Sequence, residues 1–189
     1  QAEDGIRDSV ASRGLGDVYK RQVSFYLNKN QIMKSSLAAI PNMVAEIKYK
    51  DKSRGIATSG WRGKSFSRGI ADSVTVLANN AAMADAAATM ICNAVDIYDH
   101  PNIKKKPANE IYEESDLNNL LITVEVGELT KVEIKQALKN GYHTAMKYVQ
   151  EDLINTALIQ ISDFFCIVQK NSTDLNIINK SKLKKITYN

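Results

Sequence analysis

The sequence predicts an α+β domain, a mixed or antiparallel sheet with packed helices. Three observations point there. Short β-prone runs recur along the chain without a strict strand–helix–strand rhythm. Two longer helical stretches, residues 81–96 and 131–150, interrupt them. The 189 residues are 44% hydrophobic and 24% charged, which suits one globular domain and is short for two.

The first 22 residues stand apart. Gln1-Ala2-Glu3-Asp4-Gly5-Ile6-Arg7-Asp8 back-translates to what resembles a flow-cell primer of short-read sequencing libraries. Residues 12–22 resemble a transposase adaptor end, and Ser9-Val10-Ala11 fall where a sample index would lie. Residues 1–22 are therefore expected to be an artefact without ordered core contacts. The domain is expected over residues 23–170, as the C-terminal part of an N-terminally truncated fold, with 171–189 a loose Lys/Asn-rich tail.

Val23-Ser24-Phe25-Tyr26-Leu27 is a β-prone run ended by Asn28-Lys29-Asn30, a turn signal. Residues 43–49 alternate imperfectly between apolar and polar, which predicts a half-exposed strand. Gly55-Ile56-Ala57-Thr58 predicts a third, and residues 59–69 form a Gly/Ser loop carrying Arg62, Lys64 and Arg68. Ser73-Val74-Thr75-Val76-Leu77 is rich in branched side chains and predicts a fourth. Asn79-Asn80 offers a cap for a helix over 81–96. Its middle is small and apolar on nearly every side, which predicts the most buried helix of the domain, with no solvent-facing stripe. Residues 100–118 look like a charged connection broken by Pro101 and Pro107. A strand follows at 120–126. Thr130 with Glu133 three residues on forms a capping box for the second helix. Residues 154–168 predict a strand or hairpin.

No apolar run is long enough to span a bilayer. Cys92 and Cys166 lie among apolar residues at no metal or disulfide spacing, so both are expected to be buried small hydrophobes. The net charge is +4, with lysines clustered at 104–106 and 180–185. They lack interleaved aromatics, so a solvated surface is expected rather than a nucleic-acid site. His100 and His143 are expected in surface or capping roles.

Two constellations carry chemistry. Asp85 sits in an otherwise apolar helix with Thr89 one turn later on the same face. Carboxylate and hydroxyl at this spacing are two hard oxygen ligands suited to Mg²⁺. The alternative is a structural role, with Thr89 bonding back to the Asp85 carbonyl and Asp85 meeting backbone amides of a neighbouring loop. The second constellation, from Ala57 to Ser65, joins small hydroxyl residues, glycines and cations that can cradle a phosphate; a solvated hairpin loop is the alternative. Gly63-Lys64-Ser65 is no P-loop, because Thr58 stands where the earlier glycine is required.

Gly55-Ile56-Ala57-Thr58-Ser59-Gly60, the run 73–78 and Ala84-Asp85-Ala86-Ala87-Ala88-Thr89 together resemble the C-terminal motifs of the ApbE superfamily of FAD:protein FMN transferases, in a compact branch. The resemblance implies Mg²⁺ held by Asp85 and Thr89, a ligand lined by Thr58, Ser59 and Gly60, and FAD or another phosphate-bearing nucleotide as that ligand. It implies a cytoplasmic protein, free to form homo-oligomers, without nucleic acid or a membrane span. The loop 61–72 is short and lacks both histidine and proline. That favours a rival expectation, a non-catalytic ligand-binding or assembly protein of the same fold.

Overall fold

The computed structural model describes residues 22–27, 43–48, 51–63, 65–172 and 174–179. The chain divides into two units, Gln1–Ser53 and Arg54–Asn189. In the first, strands β1 (Gln22–Leu27) and β2 (Met43–Lys48) pair antiparallel, Val23 opposite Ile47 and Tyr26 opposite Val44. Apart from Gln22, which opens β1, the adaptor-like segment lies outside the described residues.

The second unit is built on a five-stranded sheet in the order β3-β4-β7-β8-β9, with every neighbour antiparallel. Its strands are β3 (Gly55–Ser59), β4 (Ser73–Ala78), β7 (Thr156–Ile161), β8 (Phe164–Gln169) and β9 (Ile177–Asn179). A separate hairpin joins β5 (Ile103–Pro107) to β6 (Leu121–Val126). The helices are α1 (Ala81–Ala94), the one-turn α2 (Ala108–Ile111) and α3 (Lys131–Gln150). The α+β class holds. No described helix is long and apolar enough to cross a membrane.

Strand register explains which face is buried. Val74 opposes Ile159, and Ile159 opposes Cys166; Val76 opposes Ala157, and Ala157 opposes Val168. Side chains alternate across a strand, so these residues share one face. All are fully buried beneath α1 and α3. Helix α1 packs on β3 and β4, while α3 packs on β7 and β8 and against α1. Asn80 caps α1, its Oδ1 accepting from the Met83 amide at 2.8 Å. The predicted capping box starts α3: the Glu133 amide donates to Thr130 Oγ1 at 3.3 Å, and the Thr130 amide to Glu133 Oε2 at 2.6 Å. Both cysteines are free and buried.

Three expectations need correction. Helix α1 does have a solvent-facing stripe: Ala84, Ala87, Ala88, Ile91 and Cys92 are buried, but Ala82, Asp85, Ala86, Thr89 and Met90 are exposed. Alanine is compatible with either side, and only one layer covers this helix. Residues 100–118 are not a bare connection, since they contain β5 and α2. Ile103, Lys105 and Pro107 are half-buried between exposed Lys104 and Lys106, a period of two, and Pro107 stands at the strand's last position, where its missing donor is tolerated. Residues 171–189 are not wholly a tail either. Ile177 and Ile178 pair with Cys166 and Phe165, extending the sheet by one strand.

Candidate functional site

The described residues between β3 and β4, 60–63 and 65–72, fold into a crown over one end of α1. Gly60 and Gly63 close its first turn, the Gly63 amide donating to the Gly60 carbonyl at 3.0 Å. The Trp61 amide then donates to the Ala71 carbonyl at 3.0 Å, joining the loop's two ends. Farther on, the Ser67 hydroxyl is the hub. It lies 3.2 Å from Cys92 Sγ, donates to Asn93 Oδ1 at 3.3 Å and accepts from the Gly69 amide at 3.1 Å. The Arg68 amide also donates to Asn93 Oδ1, at 2.9 Å, and the Ile70 amide to the Val95 carbonyl at 2.8 Å. From β6, the Thr123 amide and hydroxyl donate to the Ser67 and Arg68 carbonyls. The close passage demands glycine at 69, where a Cβ would collide with the Cys92 carbonyl oxygen.

The crown's other end meets the β7–β8 turn. Asp72 Oδ2 accepts from the Ser162 amide at 2.6 Å, and Asp72 Oδ1 lies 4.0 Å from Arg62 Nε. Ser162 has a φ of 51°, the left-handed conformation of a tight two-residue turn. The Arg62 guanidinium stacks 4.7 Å over the Trp61 ring, a cation–π contact of about 0.5–1 kcal/mol at an exposed position. Arg62 and Arg68 both face solvent. Lys64 lies outside the described residues.

The predicted site residues do not converge. Thr58 is exposed, its Oγ1 2.8 Å from Thr75 Oγ1. Thr58 opposes Thr75 on the sheet face away from the helices, because Val74 and Val76 on either side of Thr75 enter the helical core. Ser59 points the other way and bonds the Cys92 thiol. Gly60 backs onto the Asp72 carbonyl, which a Cβ there would strike. Asp85 and Thr89 lie on the exposed face of α1, and Asp85 is two turns from Cys92, about 10 Å along the axis. The helix body separates this pair from Ser59, and the sheet lies between it and Thr58. Among the described residues no three His, Cys, Asp or Glu side chains form a metal-holding group. With Asp85 and Thr89 on the exposed side of α1 and Thr58 on the far face of the sheet, these residues do not fit a single Mg²⁺ shared between the helix and the turn.

Neither cysteine is an activated nucleophile. Burial pushes the Cys92 thiol up against the lowering effect of the Ser67 and Ser59 hydroxyls, and it pushes Cys166 up to about 12. His100 does serve a cap: its Nε2 is 3.0 Å from Glu133 Oε1, and its Nδ1 accepts from the Asn102 amide at 3.2 Å. His143 is exposed, edge-on to the Tyr142 ring. Sequence reading missed Ser67, Asp72 and Asn93. The one available signal was Asn93, an amide in the last turn of an apolar helix, where a partner is required.

No curated protein and no solved structure matches the chain. A family model described as AbpE bacteria matches residues 16–174. That finding overturns the expected ApbE-like membership, because the family identified is a different one. The short motifs behind that expectation, a Thr-Ser-Gly turn and an alanine-rich helix, meet general packing needs here: Gly60 backs onto a carbonyl and Ala84 and Ala88 fit under neighbouring strands. With most of its length covered by that one match, the chain belongs to the AbpE bacteria family.

Proposed function

We propose that the protein is a non-catalytic binding module that takes a phosphate-bearing ligand on the crown between β3 and β4. One observation carries the reading: the crown's Ser67 hydroxyl is paired with the Cys92 thiol and Asn93, while the guanidinium groups of Arg62 and Arg68 stay turned to solvent. Arginine presents a rigid fork of donors that matches phosphate oxygens. The backbone below is already fixed by the Trp61, Arg68 and Ile70 amides, so little ordering is left for the ligand to impose. Trp61 and Asp72 orient Arg62 without burying it. The non-catalytic part rests on the raised cysteine thiols and on a Ser67 hydroxyl engaged by three partners.

Trp61 is the sole tryptophan, so its fluorescence reports on Arg62 directly. Titration with pyrophosphate, FMN and FAD, each with and without Mg²⁺, is expected to change that fluorescence saturably. Replacing Arg62 or Arg68 with Ala should weaken binding about tenfold or more, the loss of a charge-assisted contact. No response to any of the three, confirmed by calorimetry, overturns the reading. Conversion of FAD in the Mg²⁺ arm, abolished by Asp85→Asn, would replace it with Mg²⁺-dependent chemistry on α1.

A further inference from the structure

Two surfaces outside the crown have opposite character. The first is the knuckle at the Pro107–Leu121 end of the β5–β6 hairpin. The Ala108 amide donates to the Leu120 carbonyl and the Asn109 amide to the Asn118 carbonyl, each at 3.0 Å. This holds Ile111, Tyr112, Leu120 and Leu121 in one neighbourhood, each between 47% and 56% exposed. Around them Glu110, Glu113, Glu114 and Asp116 face solvent. Single exposed apolar residues need no explanation, but four grouped large ones bordered by four carboxylates, with exposed Lys106 beside them in β5, mark an interaction surface.

The second surface is on α3. Lys131, Lys135, Lys139, His143 and Lys147 recur at every fourth position and all are exposed. Such a row places a side chain about every 6 Å along the helix and turns about 40° at each step, so neighbours such as Lys135 and Lys139 share a face while Lys131 and Lys147 do not. Of these, Lys147 has a carboxylate within reach among the described residues, Glu151 at 3.9 Å. Val132, 77% exposed, sits one turn from Lys135 and offers the row an apolar contact. Since both surfaces remain exposed in the folded chain, neither covers the other within one copy.

We propose that a second copy of this chain docks its acidic, apolar knuckle on the lysine row of α3. Like-for-like docking would set lysine against lysine or glutamate against glutamate. Knuckle on row sets each charge against its opposite and removes Ile111, Tyr112, Leu120 and Leu121 from water. A two-fold axis makes the contact twice, once in each direction, so the assembly closes as a dimer. The inference is independent of the phosphate reading, because no crown residue takes part.

Sedimentation velocity on the full chain, over rising protein concentration and at low and high salt, tests it. Wild type should dimerise, and more weakly at high salt, where exposed charges are screened. Glu113→Lys with Glu114→Lys, or Lys135→Glu with Lys139→Glu, should each raise the dissociation constant roughly tenfold or more, through like charges brought together. All four positions are exposed, and circular dichroism confirms that each variant is folded. An equimolar mixture of the two variants should restore the dimer, since each reversed surface then meets its complement. A monomeric wild type at the highest concentration, reversal variants that dimerise as wild type does, or a mixture that stays monomeric would each overturn the proposal.

Discussion

At position 69 the chain runs so close beneath the last turn of α1 that a Cβ would meet the carbonyl oxygens of both Cys92 and Val95. These are backbone atoms and cannot swing aside as a side-chain tip can. Gly69→Ala should therefore shift the crown or the helix end and cost roughly 1–3 kcal/mol, as overpacking does, read as a lowered urea midpoint at unchanged slope. Asp85 is the counter-example. It lies on the exposed side of α1, so Asp85→Asn should change stability by no more than about 0.5 kcal/mol, as surface substitutions do. A loss well beyond that would mean the carboxylate holds a structural partner. The contrast also marks what single residues disclose in advance. Burial of Cys92 and Cys166 was legible from their apolar neighbours. Which side of α1 faces water was not, because alanines occupy both sides and carry no preference. Sequence spacing correctly put Asp85 and Thr89 together, yet said nothing about the distance to Thr58.

Helix α3 shows how much one element can disclose. Its Thr-x-x-Glu signature named both halves of the capping box, and Thr130→Ala should cost about 1 kcal/mol, the ordinary value of such a cap. Sequence points His100 to a surface or capping role, but its meeting with Glu133 is a tertiary contact with no local sequence signal. That contact has a pH signature. The bond from His100, followed by those from the Thr130 amide and hydroxyl, holds the Glu133 carboxyl down at about 2, against an ordinary 4.5. A depressed folded value favours the charged form in the native state. The resulting stability is complete above the ordinary value and disappears as pH falls from about 4.5 through about 2. Glu133→Gln should thus be less stable than wild type near neutrality, and the gap should close across that acid window in urea melts. A gap that stays constant would show that the charge contributes nothing.

On the scale of the whole molecule, the elements could be read locally but their pairing could not. Ser73 pairs with Gln160 across α1, the β5–β6 hairpin with α2, and α3, and period-two alternation in β4 fits any neighbour equally well. β9 escaped notice for a related reason: three residues carry too short a pattern to stand out in an Asn/Lys-rich tail. The resulting sheet has a centre and two unequal edges. β7 lies between β4 and β8, and Ile159 on β7 is fully buried, opposing Val74 on one side and Cys166 on the other. Because α3 and both neighbouring strands close on this point, Ile159→Ala leaves a cavity that cannot easily collapse and should cost about 2–5 kcal/mol. The same arrangement orders amide hydrogen exchange. Amides of β4, β7 and β8 are bonded between strands beneath two helices and should open only with global unfolding, whereas the short edge strand β9 should exchange early through local fraying. Exchange of β7 on the same timescale as β9 would mean that the sheet opens in two parts. In that event Ile159→Ala should accelerate only the β7 half and leave β3 and β4 unchanged.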